Sequence, residues 1–141
     1  MARMSDGEAF EFVAAAPRTA KLATVRPDGR PHLAPIWVAV DGDTIVFNTG
    51  AGTVKGRNLA REPRASMCID DDRPPFSFTV FEGTVSLSDD LDEVRHWATI
   101  IGGRYMGADR AEEFGDRNGV PGELLARLTP TRILAERGLS D

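Results

Sequence analysis

The amino-acid sequence predicts an α+β domain built on an antiparallel β-barrel with flanking helices. The predicted elements follow one another as a helix, three strands, a short helix, two strands, a long helix and one or two final strands, an order typical of this class. The strands within residues 19–50 carry apolar side chains on both faces, which favours a curled sheet over a flat one with a solvated face. The 141 residues, of which 41% are apolar and 28% charged, suffice for a single domain over residues 1–141 with its own core.

The N-terminal third is predicted to contain one helix and three strands. Ser5 and Glu8 have the spacing of a capping box, so a helix is expected to begin after Ser5 and to end before Pro17. Two turn signals separate the three strands that follow: "RPDGR" at residues 26–30 and "DGD" at residues 41–43.

A short helix is predicted within "TVKGRNLAREP" at residues 53–63, with Thr53 as its N-cap and Pro63 just beyond its end. The segment "RASMCIDD" then predicts a fourth strand. A long fifth strand is expected in "PFSFTVFEGTVSLS", where Gly83 indicates a β-bulge.

The C-terminal third begins with the strongest helical pattern, residues 88–107, for which we predict Ser88 or Asp89 as the N-cap. The polar residues 108–122 are expected to lie on the surface and to be partly helical. Residues 123–138 predict one or two strands.

Composition excludes several classes of function. The net charge of −5 disfavours a nucleic-acid partner, and no apolar run is long enough to span a membrane. The sequence lacks the pattern of a secretory signal and has the lone cysteine Cys68, predicted to be a buried thiol, so we expect a cytoplasmic protein. Two histidines without clustered spacing predict no metal site, and no catalytic motif of a hydrolase is present.

The transition from the third strand to the short helix has the features of an anion-binding site. A glycine-containing loop leads to a helix start, where free N–H groups and the helix dipole favour a negative ligand. Thr53 adds a hydroxyl there, Lys55 a compact charge and Arg57 a planar guanidinium. Asn48 and Thr49 end the strand and are candidates for bonding a heterocycle or ribityl hydroxyls. The alternative is a solvated helix whose cations are ordinary surface residues.

Three stretches together resemble the pyridoxamine-5′-phosphate-oxidase-like split-barrel superfamily, whose fold is the FMN-binding split barrel. They are "KLATVRPDGRPHLAPIWVAV", "IVFNTGAGTVKGRNLAREPRASMCID" and "FTVFEGTVSL", and the resemblance extends over about residues 8–135. The most specific part is the ordered set of "DGRPH", "KxRNLxxxPRAS" and "xEGT". Within the superfamily, the sequence is most similar to the actinobacterial oxidoreductases that use the deazaflavin coenzyme F420.

The resemblance implies a homodimer with two equivalent sites at the subunit interface. It implies that Thr49, Thr53, Lys55, Arg57 and the adjacent Asn58 lie near the cofactor phosphate. It also implies that the strand carrying Pro35, Ile36 and Trp37 passes the tricyclic ring. Relatives that use FMN tend to have an arginine before the lysine, where this chain has Val54.

The resemblance therefore implies a coenzyme F420-dependent oxidoreductase, in which a hydride passes to an activated small-molecule acceptor. Two alternatives stay open: an FMN-dependent oxidase or reductase of the same fold, and a non-catalytic carrier of either cofactor. Arg57, Arg61 and Arg64 are expected to follow an extended anionic tail, unless Arg61 and Arg64 are merely solvated. No catalytic residue is predicted, because hydride chemistry belongs to the cofactor.

Five further side chains are considered for secondary roles. Trp37 is expected to be a core or interface aromatic if it does not face the cofactor. His32 and His96 are predicted to be exposed, with His32 a minor candidate for a proton donor to the substrate. Arg104 and Tyr105 either contact the tail or substrate or simply end the long helix.

Overall fold

Eight strands form one antiparallel sheet, and four helices pack against it in the computed structural model, which describes residues 1–141. In chain order the elements are β1 (Ala2–Arg3), α1 (Asp6–Ala15), β2 (Ala20–Val25), β3 (Pro31–Ile36), β4 (Ala39–Asp41), β5 (Thr44–Gly50), α2 (Val54–Arg61), β6 (Arg64–Asp71), β7 (Ser77–Ser88), α3 (Leu91–Met106), α4 (Ala111–Asn118) and β8 (Glu123–Arg137).

The strand order explains how the sheet becomes a barrel. Neighbouring strands run β3-β2-β6-β7-β8-β5-β4, and β1 pairs with β8 outside this path. The two edge strands, β3 and β4, are consecutive in the chain and are separated by Trp37 and Val38 alone. Because so short a link cannot cross a flat sheet of seven strands, the sheet must curl until its edges meet. The predicted α+β split barrel is therefore confirmed, although the second of the three strands expected within residues 19–50 is divided in two.

The barrel interior contains the main core. Eighteen buried side chains from the strands and from α1 form one cluster, with Phe47 and Phe81 among the largest. Helix α1 contributes Ala9 and Val13 to it, and the ring of Phe10 contacts that of Phe81 at 5.2 Å between centroids. Burial of this apolar surface is the main favourable term in folding.

A second, smaller cluster lies outside the barrel, beneath α3. It consists of five buried residues, Ala39, Val46, Val94, Ile101 and Leu125. They fix one face of α3 against β4, β5 and β8. The C-terminal half of α3 is thereby held next to the Trp37–Val38 link.

Several local predictions are confirmed. Ser5 and Glu8 form the capping box of α1, and the Thr53 side chain caps α2. The register of β7 against β8 shifts between Glu82 and Gly83, as expected for a bulge. A Cβ atom at Gly83 would lie 2.1 Å from the Thr129 carbonyl oxygen, so the close approach of the two strands requires glycine.

Two local predictions are wrong. The N-cap of α3 is Asp90 rather than Ser88 or Asp89, because the Asp90 carboxylate accepts hydrogen bonds from the N–H groups of Asp92 and Glu93. Ser88 instead accepts a bond from the N–H of Asp90. Cys68 is half-buried rather than buried, since alternate residues of β6 face opposite sides of the sheet. Partial burial still raises the pKa of the Cys68 thiol.

None of the four helices combines the length and the apolar character needed to cross a membrane. No group of three or more histidine, cysteine, aspartate or glutamate side chains is arranged to hold a metal ion.

Candidate functional site

Helix α2 begins in a tight turn that leaves backbone donors free. The Thr53 hydroxyl donates to the carbonyl of Gly50 at 2.8 Å and accepts from the N–H of Gly56 at 3.1 Å. The N–H groups of Val54 and Lys55 make no hydrogen bond within the chain. At Gly56 an added Cβ would lie 2.1 Å from the Gly50 carbonyl oxygen, so this turn depends on glycine. The helix start therefore presents two unpaired N–H donors to any ligand outside it.

One cavity, the Lys55 cavity, opens beside this turn and has a volume of about 270 Å³. Its walls come from the end of β3, from β5, from the first turn of α2 and from the inner face of α3. It is lined by Pro35, Ile36, Trp37, Asn48, Lys55, Ala98, Ile101, Gly102 and Asn118. Lys55 is the one charged side chain among these residues, so the cavity combines apolar and amide side chains with a single cation.

A second cavity, the arginine cavity, lies along another side of α2 and has a volume of about 500 Å³. It is lined by Arg26, Pro27, Asp28, Arg30, Val54, Arg57, Asn58 and Arg61. Two of its arginines come from the β2–β3 turn and two from α2. The one carboxylate, Asp28, is paired with Arg30 at 2.7 Å, and neither Arg26 nor Arg57 has a carboxylate partner. Positive charge therefore accumulates there in a chain whose net charge is −5.

The structure divides the predicted site residues among three places. Pro35, Ile36, Trp37, Asn48 and Lys55 line the Lys55 cavity together. Arg57 and Asn58 line the arginine cavity.

Thr49 and Thr53 line neither cavity. Their hydroxyls lie 3.3 Å apart in the turn before α2. Thr53 shapes the start of the helix, as its capping bonds require, and Thr49 is buried beneath it.

Two of the predicted amide side chains make hydrogen bonds within the fold. The Asn48 amide donates to the Val94 carbonyl at 3.3 Å and so connects β5 to α3. Asn58 is only 2% exposed, and its amide donates to the Thr24 hydroxyl at 3.1 Å. Asn58 therefore fastens α2 to β2, and a sequence motif alone could not separate this role from ligand binding.

The predicted row of three arginines is broken by the structure. Arg57 and Arg61 lie on the same cavity, and the Arg61 guanidinium also donates to the carbonyl of Val25. Arg64 points elsewhere and pairs with Glu62 at 2.5 Å. Hydrogen bonds from the Arg64 side chain and backbone lower the pKa of the Glu62 carboxyl.

Arg104 touches neither cavity and does not cap its own helix. Its guanidinium donates to the carbonyls of Val13, Ala14 and Ala16, at distances between 2.5 and 3.0 Å. It thereby satisfies the free C-terminal carbonyls of α1.

The two histidines differ. His96 is exposed, as predicted, and packs edge-on against Trp97. His32 was predicted to be exposed but is partly buried, since it lies opposite the buried Thr24 in the β2–β3 pair. Its Nδ1 atom is buried and has no hydrogen-bond partner.

Sequence reasoning missed the contribution of the β2–β3 turn and of α3. Arg26 and Arg30 are separated from α2 by more than twenty residues, and only the folded hairpin brings them to Arg57. Ala98 and Ile101 lie on the apolar stripe by which α3 packs against the sheet, and Gly102 is buried beside them. No sequence signal distinguishes the cavity wall from the rest of that stripe.

Comparison with known proteins agrees with this architecture. The conserved hypothetical protein Rv2991 from Mycobacterium tuberculosis is 30% identical, with a TM-score of 0.84 over 98% of this chain and 89% of that one. A structure described as an F420 reductase is 27% identical, with a TM-score of 0.69 over 87% of this chain and 94% of that one. A FAD-binding protein from Mesorhizobium loti shares the fold at 16% identity, with a TM-score of 0.70 over 95% of this chain and 93% of that one.

The family comparison covers nearly the whole chain. Residues 6–136 match the family described as pyridoxamine 5′-phosphate oxidase. This range runs from the first residue of α1 to the penultimate residue of β8 and includes both cavities. The strand order, the split between β3 and β4 and this match lead to one conclusion: the chain belongs to the pyridoxamine 5′-phosphate oxidase family.

Proposed function

We propose that the protein is a coenzyme F420-dependent oxidoreductase that reduces an activated small molecule. The observation that carries the proposal is the meeting of Pro35, Ile36, Trp37, Asn48 and Lys55 around one cavity. Three separate chain segments supply these residues, so their meeting is a property of the fold. The similarity to an F420 reductase at 27% identity supports the same choice of cofactor.

The residues present fit the head of a deazaflavin. Trp37 and Ile36 offer flat apolar surface for a ring, and Lys55 with the free N–H groups of Val54 and Lys55 offers an anion site for a phosphate. A volume of about 270 Å³ is slightly below the range of roughly 300–1,000 Å³ that small-molecule sites occupy. A cofactor of this size therefore needs room outside the cavity for its tail, and a partner subunit to cover it.

The arginine cavity supports the choice of coenzyme F420 over FMN. The tail of coenzyme F420 carries carboxylates beyond its phosphodiester, whereas FMN ends in one phosphate. Arg57 and Arg61 supply guanidinium groups along α2, and Arg26 lines the same cavity from the β2–β3 turn. Guanidinium groups match carboxylates in geometry as well as charge.

The chain's own contribution to the reaction is binding, orientation and exclusion of water. The reduced deazaflavin, when bound, supplies a hydride to the acceptor. Lys55 holds the anionic end, the end of β3 sets the plane of the ring, and the apolar residues of α3 keep water from one side. No acid or base within the Lys55 cavity is required for these roles.

Titration of the purified protein with coenzyme F420 and, separately, with FMN tests the proposal. Tighter binding of coenzyme F420 is expected, and salt should weaken it more than it weakens FMN binding, because exposed charge contacts are screened. Equal or tighter FMN binding would favour an FMN-dependent enzyme. Reduction of an acceptor by the protein loaded with reduced coenzyme separates an enzyme from a carrier.

We also propose a homodimer whose partner subunit completes the site. Leu33 on β3 is 70% exposed, and Trp37 and Val54 beside the two cavities are each 37% exposed. Large apolar side chains exposed around one region are typical of an interface. Light scattering at micromolar concentration should give twice the chain mass of 15.3 kDa. A mass equal to one chain would contradict the proposed interfacial site.

A further inference from the structure

Trp37 is held in a defined orientation at the wall of the Lys55 cavity. Its ring stacks on that of Tyr105, with 5.0 Å between centroids and 5° between planes. Phe114 contacts it at 5.7 Å with the planes inclined at 62°. The side chain nevertheless remains 37% exposed, whereas the core aromatics Phe47 and Phe81 are fully buried. Tyr105 covers one face of the indole, and the part of Trp37 that remains exposed contributes to the lining of the Lys55 cavity.

Tyr105 is in turn fixed by two hydrogen bonds at the point where the barrel splits. Its hydroxyl accepts from the N–H of Val38 at 3.1 Å and donates to the carbonyl of Arg18 at 2.7 Å. Val38 is buried and belongs to neither β3 nor β4, so no strand pairing satisfies its N–H. The Tyr105 hydroxyl therefore takes the place of the strand-to-strand hydrogen bond that the Val38 N–H lacks. The ring of the same side chain packs against the Trp37 indole.

We propose that the exposed surface of Trp37 binds a planar conjugated ring and that Tyr105 is the residue that positions the indole. A fixed indole offers a large flat surface, and aromatic rings prefer offset stacking on such a surface. Because the ring is already held on its far side, little rotational freedom is lost when a ligand stacks on it. This inference rests on the proposed function, and it narrows the ligand to flat, conjugated molecules rather than saturated ones. The ring that stacks is either that of the cofactor or that of the acceptor.

Fluorescence of Trp37 provides a direct test. The chain contains two tryptophans, so Trp97→Phe leaves Trp37 as the sole indole. The probes are menadione, a planar bicyclic quinone, and 2-decalone, a saturated bicyclic ketone of similar size. Saturable quenching by menadione, with no binding of 2-decalone in calorimetry, is the expected result. Equal affinities for the two probes, or no saturable response to menadione, would overturn the inference.

Two substitutions separate stacking from positioning. Trp37→Leu keeps an apolar wall at a partly exposed position, and calorimetry should show menadione binding weakened about tenfold, with partial recovery in Trp37→Phe. Tyr105→Phe keeps the stacked ring but loses both hydrogen bonds. In the Trp97→Phe background it should lower the fluorescence anisotropy of Trp37 and weaken menadione binding several-fold. Unchanged binding in Trp37→Leu would overturn the stacking role, and unchanged anisotropy in Tyr105→Phe would overturn the positioning role.

Competition between menadione and coenzyme F420 identifies which molecule supplies the stacked ring. It also tests the stacking on Trp37 separately from the proposed cofactor. Displacement of menadione by coenzyme F420 would assign the indole to the cofactor ring, and simultaneous binding would assign it to the acceptor. If coenzyme F420 binds in a Lys55-dependent manner while no planar probe senses Trp37, this inference fails and the proposed function stands. If menadione stacks on Trp37 but coenzyme F420 does not bind, the proposed cofactor fails while the planar site remains.

Discussion

The two cavities beside α2 differ in how they select a ligand. The Lys55 cavity has one charged side chain, a cation, while the arginine cavity has four guanidinium groups and a single carboxylate. The first offers a ligand one cation beside an indole ring, and the second offers several cations close together. A molecule with a flat head and a long anionic tail matches the pair, whereas a short phosphate ester needs only the first.

The difference between the cavities originates in the helical repeat. Val54, Arg57 and Arg61 lie three and four residues apart, so they share one side of α2. Lys55 is rotated by about a quarter-turn or more from Val54 and faces the other cavity. One helix of eight residues therefore contributes side chains to both cavities.

The largest effect is expected where both cavities are damaged at once. Gly56→Ala would place a Cβ 2.1 Å from the Gly50 carbonyl oxygen, so the start of α2 must move. We expect loss of measurable binding of both coenzyme F420 and FMN, with a stability cost of about 1–3 kcal/mol or more. Calorimetry and thermal unfolding provide the measurements. Gly52→Ala is the matched control, since nothing lies within 4 Å of its Cβ position; normal binding by Gly56→Ala would refute the role of this turn.

The next effect should arise in the Lys55 cavity alone. Lys55→Ala removes the one charged side chain there, and loss of a charge-assisted contact of about 1.5–3 kcal/mol corresponds to about ten- to a hundredfold in affinity. Both cofactors should lose affinity, because both carry a phosphate at the ribityl end. Arg64→Ala serves as the control, as Arg64 pairs with Glu62 away from both cavities. An unchanged dissociation constant for both cofactors in Lys55→Ala would remove Lys55 from the site.

The smallest effect should be confined to the arginine cavity. Arg61→Ala is expected to weaken coenzyme F420 several-fold and to reduce the salt dependence of its binding, while FMN binding stays nearly constant. Titrations at two salt concentrations measure both quantities. Arg61 also bonds Asn58 and the Val25 carbonyl, so thermal unfolding must accompany the titrations. Equal losses for FMN and coenzyme F420 would show that the cavities do not act separately.

Features that depend on neighbouring residues were predictable from the sequence. The capping box at Ser5, the cap at Thr53 and the bulge at Gly83 each follow from a few adjacent residues and a local bonding rule. The prediction for the N-cap of α3 also rested on a few adjacent residues, and it was wrong. Ser88, Asp89 and Asp90 are all suitable capping residues, so the local sequence does not choose among them. Competition among equivalent side chains is settled by packing, which the local pattern does not contain.

Features that depend on distant contacts were not predictable. The sequence predicts that Arg104 either contacts the tail or substrate or ends its own helix, but in the structure it binds the C-terminal end of α1. The link at Trp37 and Val38 was read as part of a strand, because both residue types favour strands. Its break follows from closure of the barrel, which involves the whole sheet.

The edge strand β3 has a consequence for how two chains can meet. Pro31 and Pro35 pair with Val25 and Lys21, and their positions alternate with Leu33 along the strand. Proline has no N–H, so Leu33 is the one residue of these three that can donate from the outer edge. At the opposite end of the sheet, β4 has only three residues. Neither edge is a good template for strand addition, which limits aggregation through backbone pairing. In the proposed homodimer we therefore expect contact through side-chain surfaces, and we do not expect an unbroken sheet running from one subunit into the next.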